Sequence, residues 1–375
     1  MIPRRATRGP RSSRLSFVRA AIPAAAVLLA TMPTAAVAAR WNWSGSGTLD
    51  YLRLLPAHGA DALVLAGANA EWSLKATVEA SEKVSITARL CTACHGLTVD
   101  QAYAEIKLAP HANLQAGRFT VPFGDFYQRY DPASDVFLSE PLPYAMGHML
   151  RFQPDHFNLG VVPMPYADQG ASFFGDVWIH DQLQIWYALY GVNGFRSGSP
   201  QDFTFWEQWS NRGVNDNNGD LSCGGRIALA RGAVAAGGSY LRGAYDPQSK
   251  FDYTVWGLDG SVRLPGGQLR AEYLSRHTEV LEAGTPGILR KSGFYAQVEA
   301  PVRKTVALVA RFDGLLREGP PLGTDNDASS GIVRWTVGVN VSPSIDYGIR
   351  LQYEFWRLTD FADKDVLHVG MVVTY

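Results

Sequence analysis

Three of the chain's 375 residues are cysteine, and two of them fall in one five-residue stretch, C-T-A-C-H, from Cys91 to His95. Two thiols at this spacing, followed at once by an imidazole, form the attachment motif of haem c. Each sulfur adds to one vinyl group, and the histidine ligates the iron. The same spacing suits a Cys91–Cys94 disulfide in an oxidising compartment, and so short a motif also arises by chance. A closed zinc site takes four ligands, and no second pair of this kind occurs. On the haem reading His95 is the metal ligand, and Y-A-M-G-H-M-L offers His148, with Met146 and Met149, for the opposite axial position. Small cytochromes carry this motif at the start of a helix; here strand-like segments flank it.

Other chemistry is sparse. Asp216, Asn218 and Asp220 have calcium-loop spacing, but Leu221 stands where such a loop needs glycine. Asp325, Asn326 and Asp327 resemble them, and both stretches read as solvated loops. No phosphate-cradling glycine loop, nucleophile elbow or paired-histidine metal motif is present, so the expectation is a protein that is not an enzyme. A net charge of -1 gives no footprint for nucleic acid.

The elements that must position these residues are strands. In D-V-L-H-V-G-M-V-V-T-Y, from Asp365 to Tyr375, Leu367, Val369, Met371, Val373 and Tyr375 make one apolar row. Ile345 to Thr359, Ile332 to Val341, Val84 to Ala93 and Val99 to Leu108 alternate in the same way. A soluble protein rarely ends on such an edge, whereas a strand that closes a barrel in lipid has no free edge. About sixteen such segments occur, as in bacterial membrane barrels. They begin near Trp41, Ala66, Val84, Val99, Leu114, Ala171, Gln182, Leu221, Ala233, Asp252, Gln268, Leu289, Thr305, Ile332, Ile345 and Val366. Connections after even-numbered segments are short. Those after odd-numbered ones tend to be long, notably Gly124 to Gly170, Phe195 to Asp220 and Arg317 to Ser330. This predicts an all-β fold: a transmembrane antiparallel barrel with short periplasmic turns and long outer loops, in contact with outer-membrane lipid of a Gram-negative bacterium.

Residues 1–39 read as a signal peptide: arginines from Arg4 to Arg19, an Ala/Val/Leu run, then Ala36-Val37-Ala38. Residues 40–375 form one barrel domain. Beyond residue 40 no apolar run reaches the roughly 18 residues of a spanning helix. Strand parity points Arg89, Glu105, Lys107, Arg270, Arg311, Arg334 and Arg350 into the lumen as pore-lining groups, with an arginine excess that mildly favours anions. Trp186, Tyr187, Tyr190, Trp335, Tyr353, Phe355 and Tyr375 would supply interfacial girdles.

L-Q-A-G-R-F-T-V-P-F-G at Leu114 to Gly124, after V-D-Q-A-Y-A-E-I-K-L-A-P at Val99 to Pro110, resembles porins of the phosphate-selective O/P type. The resemblance is close over those two strands and architectural elsewhere. It implies that the loop from Gly124 to Gly170 folds inward and narrows the pore, and that the protein is a homotrimer. The C-T-A-C-H motif is similar to that of porin–cytochrome proteins that move electrons through an outer membrane. That likeness implies one covalent haem c on Cys91, Cys94 and His95, electron transfer, and periplasmic or extracellular cytochromes as partners. The alternative is a passive diffusion porin for small solutes, anions among them, with no haem.

Overall fold

The structure, a computed structural model, describes residues 39–56, 66–93, 96–131, 133–145, 160–162, 166–180, 182–200, 216–282, 284–320, 329–359 and 362–375. The signal-peptide expectation falls on residues outside this set.

A strand with one apolar and one polar face needs lipid or core on one side and water or polar partners on the other, and sixteen of them meet both needs by closing into a ring. In chain order they are β1 (Arg40–Pro56), β2 (Ala66–Ser81), β3 (Val84–Ala93) and β4 (Gly96–Ala109). Next come β5 (Ala112–Thr120), β6 (Ala167–Ile179), β7 (Leu183–Val192) and β8 (Ser222–Arg231). β9 (Val234–Ala244), β10 (Asp252–Leu264), β11 (Gly267–Glu282) and β12 (Thr285–Arg303) follow. β13 (Val306–Glu318), β14 (Ser329–Val341), β15 (Tyr347–Leu358) and β16 (Lys364–Thr374) complete the set. Each strand pairs with its sequence neighbours, and β1 pairs antiparallel with β16 from Ser46↔Thr374 to Pro56↔Lys364. Fifteen hairpin connections and one closing seam leave no free edge. The only described helices are α1 (Phe126–Arg129) and a 3₁₀ turn at Leu142–Tyr144, both in the β5–β6 loop.

β16 shows the division of faces. Val366 and His368 are buried at 0% and 4% exposure, while Val369 and Met371 on the opposite face are exposed at 41% and 46%. Gly47 on the outer face of β1 leaves room for the Trp72 ring that lies over it. The outer wall carries a continuous aromatic belt. Tyr240 pairs with Trp256, Trp256 packs on Tyr273 at 5.4 Å, and Tyr273 pairs with Phe294. Phe294, Phe312 and Trp335 follow at 5.2 Å steps, and Trp335 pairs with Phe355, which packs on Tyr353 at 4.7 Å. A belt of exposed rings this long is stable against lipid and would aggregate in water. Trp186 and Tyr190 are not part of any girdle. They lie on the lumen-facing row of β7, with Tyr190 buried and donating to the Tyr240 carbonyl. The outward row of β7 is Ile185, Tyr187 and Leu189, so three neighbouring aromatics divide between two faces.

The rims differ as the connection lengths require. One bears the short turns at 82–83, 110–111, 232–233, 265–266 and 304–305; the other bears the β5–β6 and β7–β8 connections. Two connections at the loop-bearing rim, 94–95 and 283–284, are also short.

Candidate functional site

The β5–β6 loop turns into the barrel and lies along the inner wall of β9 and β11–β15. Its entry is fixed first. Gly124 donates to Ser239 Oγ at 3.0 Å, and Asp125 and Phe126 donate from their backbone to Glu272 Oε1 at 2.6 and 2.7 Å. Tyr144 Oη, from further along the loop, also donates to Glu272. Gly124 adopts φ +69°, and a Cβ there would collide with Tyr144 Oη, so both the backbone and the space call for glycine.

Beyond the entry, arginine and amide side chains of the wall hold the loop's carbonyls. Arg311 donates to Ser139 O at 2.8 Å, Arg334 to Glu140 O at 2.6 Å and Arg276 to Val161 O at 3.0 Å. Arg350 donates to Ala133 O, and Asn340 and Gln352 share Val136 O at 2.8 and 3.0 Å. Carboxylates serve the loop's donors: Leu142 N reaches Asp313 Oδ2 at 2.9 Å. Arg334 is itself set between Asp313 at 2.5 Å and Glu354 at 3.2 Å, over the Trp356 ring. Glu354 continues to His368, which bonds Asp50 of β1 at 3.1 Å. The buried charges of Arg334, Asp313, Glu354 and His368 are tolerated because each of these four has an opposite charge and hydrogen bonds. Burial pushes the Glu140 carboxyl, in the loop, up to about 7; Arg334 and Arg311 pull it down and Asp135 pushes it further up.

A second segment also enters the lumen. At the start of the β7–β8 connection, Phe195 stacks on Tyr166 at 4.9 Å and meets Tyr253 edge-on at 5.0 Å, with Arg276 over its face. Phe126, Tyr127, Tyr144, Val161, Val162, Phe195 and Tyr253 thus form an apolar core inside the barrel.

The two segments fill one side of the lumen and leave a cavity of about 630 Å³ on the other. Its walls are the inner face of β1–β5, with Phe174 and Trp186 of β6 and β7, and the loop residues Tyr127 to Asp131. One ion pair crosses it: Arg89 of β3 reaches Asp131 of the loop at 3.4 Å. Arg89 is oriented by Ser73 at 2.7 Å and by Asp100 at 3.9 Å. Asp100 is the extra residue of a bulge, since Arg89 pairs with Gln101 and Leu90 with Val99. The bulge turns it inward, where it is buried.

The sequence-derived residues therefore separate into groups. Arg89 and Glu105 line the cavity. Arg270 faces inward and pairs with Asp125 at 3.1 Å, at the loop's entry. Arg311, Arg334 and Arg350 point inward as parity requires, but the loop covers them and their charge is spent on its carbonyls and on buried carboxylates. Lys107 is exposed near the short-turn rim and takes no part in the cavity wall. Cys91 is half-buried on the lumen-facing row with Arg89, paired with Ser73 and Thr98. Cys94, His95, Met146, His148 and Met149 lie outside the described residues. Among the described residues no cluster of three metal-ligating side chains occurs. Missed from the sequence were the inward β7–β8 segment and the roles of Glu272, Asp313 and Tyr144 as loop anchors. G-V-N-G-F at Gly191–Phe195 was the available signal for the first, since Gly194 takes φ +91° and lets Phe195 turn in.

No protein-family model matches the chain, and no curated protein sequence does. Solved structures do. The barrel is similar to an anion-selective porin from Comamonas acidovorans, with a TM-score of 0.60 and 12% identity, over 90% of this chain and 100% of that one. It is similar to OmpF of Salmonella typhi, with a TM-score of 0.61 and 12% identity, over 89% and 97%. The outer membrane channel DcaP of Acinetobacter baumannii matches at 0.57 and 9% identity, over 91% and 99%. At these identities the likeness establishes the fold, a sixteen-stranded barrel of the outer-membrane porin kind.

Proposed function

We propose that this protein is a passive diffusion channel of the Gram-negative outer membrane for small polar solutes. The observation that carries the reading is the off-centre cavity of about 630 Å³, bounded by the docked loop on one side and the β1–β5 wall on the other. The aromatic belt and the unbroken strand ring supply the lipid contact such a channel needs. The arginines under the loop are committed to holding it, so charge preference rests on the residues that face the cavity. No catalytic constellation enters this reading. The deciding experiment is reconstitution of the purified chain into a planar bilayer. Stepwise, ohmic current increments are expected, with a reversal potential under a salt gradient that reports charge preference. Verified insertion without current steps would remove the channel reading.

A second reading comes from C-T-A-C-H. Cys91 faces the lumen at the loop-bearing mouth, so haem c held by Cys91, Cys94 and His95 would border the passage and supply one-electron chemistry there. Cys91 itself sits in a paired strand and contributes only a lumen-facing thiol. Expression beside a haem-attachment system, followed by a haem stain on a denaturing gel, tests it. A stained band lost in Cys94→Ser supports covalent haem; an unstained mature band leaves the diffusion channel alone.

A further inference from the structure

The cavity wall carries charged groups that the docking network does not use. Its charged lining groups are Lys75, Arg89, Arg129, Glu105 and Asp131. Arg89 pairs with Asp131, and Arg129 pairs with Asp125 at 2.7 Å. Lys75 and Glu105 remain, and among the described residues neither forms an ion pair or a side-chain hydrogen bond. They lie on one face of the β2–β4 sheet. Lys75 pairs with Arg89, which pairs with Gln101; Tyr103 is the next inward residue of β4, and Glu105 the one after.

Rings face the same water. Tyr103, Phe174 and Trp186 all line the cavity. Phe174 pairs with Ala188 and Trp186 with Asp176, so the two rings are diagonal neighbours on one face, about 7–8 Å apart along the backbone. Barrel lumens are polar, and aromatic faces turned toward a water-filled passage are costly unless they are used. A flat apolar body stacks on such faces, and a cation is drawn to them.

We propose that this wall is a retention site for zwitterionic solutes that carry a ring, namely amino acids with aromatic side chains. Lys75 takes the carboxylate, Glu105 takes the ammonium, and Tyr103, Phe174 and Trp186 take the ring. The assignment rests on the diffusion-channel reading and gives that channel its solute class.

The test is partial block of single-channel current by L-phenylalanine, using the full chain in a planar bilayer. L-alanine, phenylpropionate and phenethylamine serve as controls that lack the ring, the ammonium and the carboxylate. L-phenylalanine is expected to half-block at a concentration about tenfold below each control, the effect of one stacking or charged contact. Phe174→Leu with Trp186→Leu should erase its advantage over L-alanine. Glu105→Gln should erase its advantage over phenylpropionate. Current in these variants reports that the barrel has folded, and the wild-type comparison needs no variant. A conducting channel that L-phenylalanine blocks no better than L-alanine overturns this assignment and leaves the channel reading standing. A protein that inserts and passes no current overturns both.

Discussion

Replacing Arg334 by methionine tests whether the docked loop is part of the folded structure or rests loosely on the wall. Arg334 is 2% exposed at its side chain. It gives Nε and Nη2 to Asp313, Nη1 to Glu354 and Nη2 to the Glu140 carbonyl. Methionine keeps the length and the packing on Trp356 but removes every one of these bonds. Removing one partner of a buried ion pair costs about 3–5 kcal/mol, because the other partner stays buried and charged. Asp313 retains Arg311 at 3.4 Å and Leu142 N, and Glu354 retains His368, which places the loss toward the lower end. The bond to Glu140 O alone accounts for about 1.5–3 kcal/mol as a hydrogen bond to a charged group. The assay is urea unfolding of the refolded protein in detergent micelles, followed by tryptophan fluorescence. With a slope of about 3 kcal/mol per molar urea, the midpoint should fall by roughly 1 M or slightly more. Adding Glu354→Gln should recover part of the loss, since one stranded charge is then gone. A midpoint shift of ~0.3 M or less with unchanged slope would refute the reasoning, because a water-exposed arginine costs no more than that.

Glu140 links loop docking to pH. Its carboxyl titrates near 7 when docked and near 4.5 otherwise, so the docked state binds the extra proton between those values. The Glu140 contribution to docking is therefore fully present below pH 4.5 and is lost as pH rises through about 7. Hydrogen exchange of residues 133–145, corrected for intrinsic rates, should speed up over that window, and Glu140→Gln should flatten the change. Gly124→Ala forces a left-handed backbone on a residue with a Cβ and pushes into Tyr144. A cost of about 1–3 kcal/mol is expected, seen as faster tryptic cleavage after Arg129; unchanged cleavage counts against the loop's entry geometry. Leu351→Arg, on the lipid face of β15 at 49% exposure, should cost about 2–4 kcal/mol in vesicles near the bilayer midplane. The same change in a water-exposed loop should cost little, and equal effects would argue that this face does not meet lipid.

Much of the architecture was legible because a barrel repeats one rule. Period-two alternation gave sixteen strands whose starts lie within four residues of those observed, from β1 near Trp41 to β16 near Val366. Parity also placed Arg311, Arg334 and Arg350 inside correctly. What parity does not contain is depth. It cannot distinguish an inward arginine that meets water, as Arg89 does, from one that meets a loop carbonyl, as Arg334 does. The deciding partner of Arg350 lies 217 positions away in sequence, at Ala133. Parity applied to aromatic-rich β7 would already have put Trp186 and Tyr187 on opposite faces, so naming both for a girdle overlooked the rule that placed the arginines. Pairing with β6 and β8 shows that Tyr187 is the outward one. The resemblance of Leu114–Gly124 to porin loops did anticipate the inward turn after β5. The Phe195 segment had no such precedent in its composition.

The loop's anchors have a consequence for the order of assembly. The described loop residues between Gly124 and Val162 belong to the first half of the chain, yet Arg89 apart, the wall residues that hold them, Ser239, Glu272, Arg311, Arg334, Gln352 and Arg350, lie in the second half. None of those partners exists as a surface until β9 and β11–β15 have paired. Arg334 is tied in turn through Glu354 and His368 to Asp50, across the junction where β16 meets β1. Contacts this distant in sequence form slowly, since the intervening chain must first lose its freedom. Loop docking is therefore a late event: its wall must be in place first, and the charge network beneath it is complete only when the terminal strands meet.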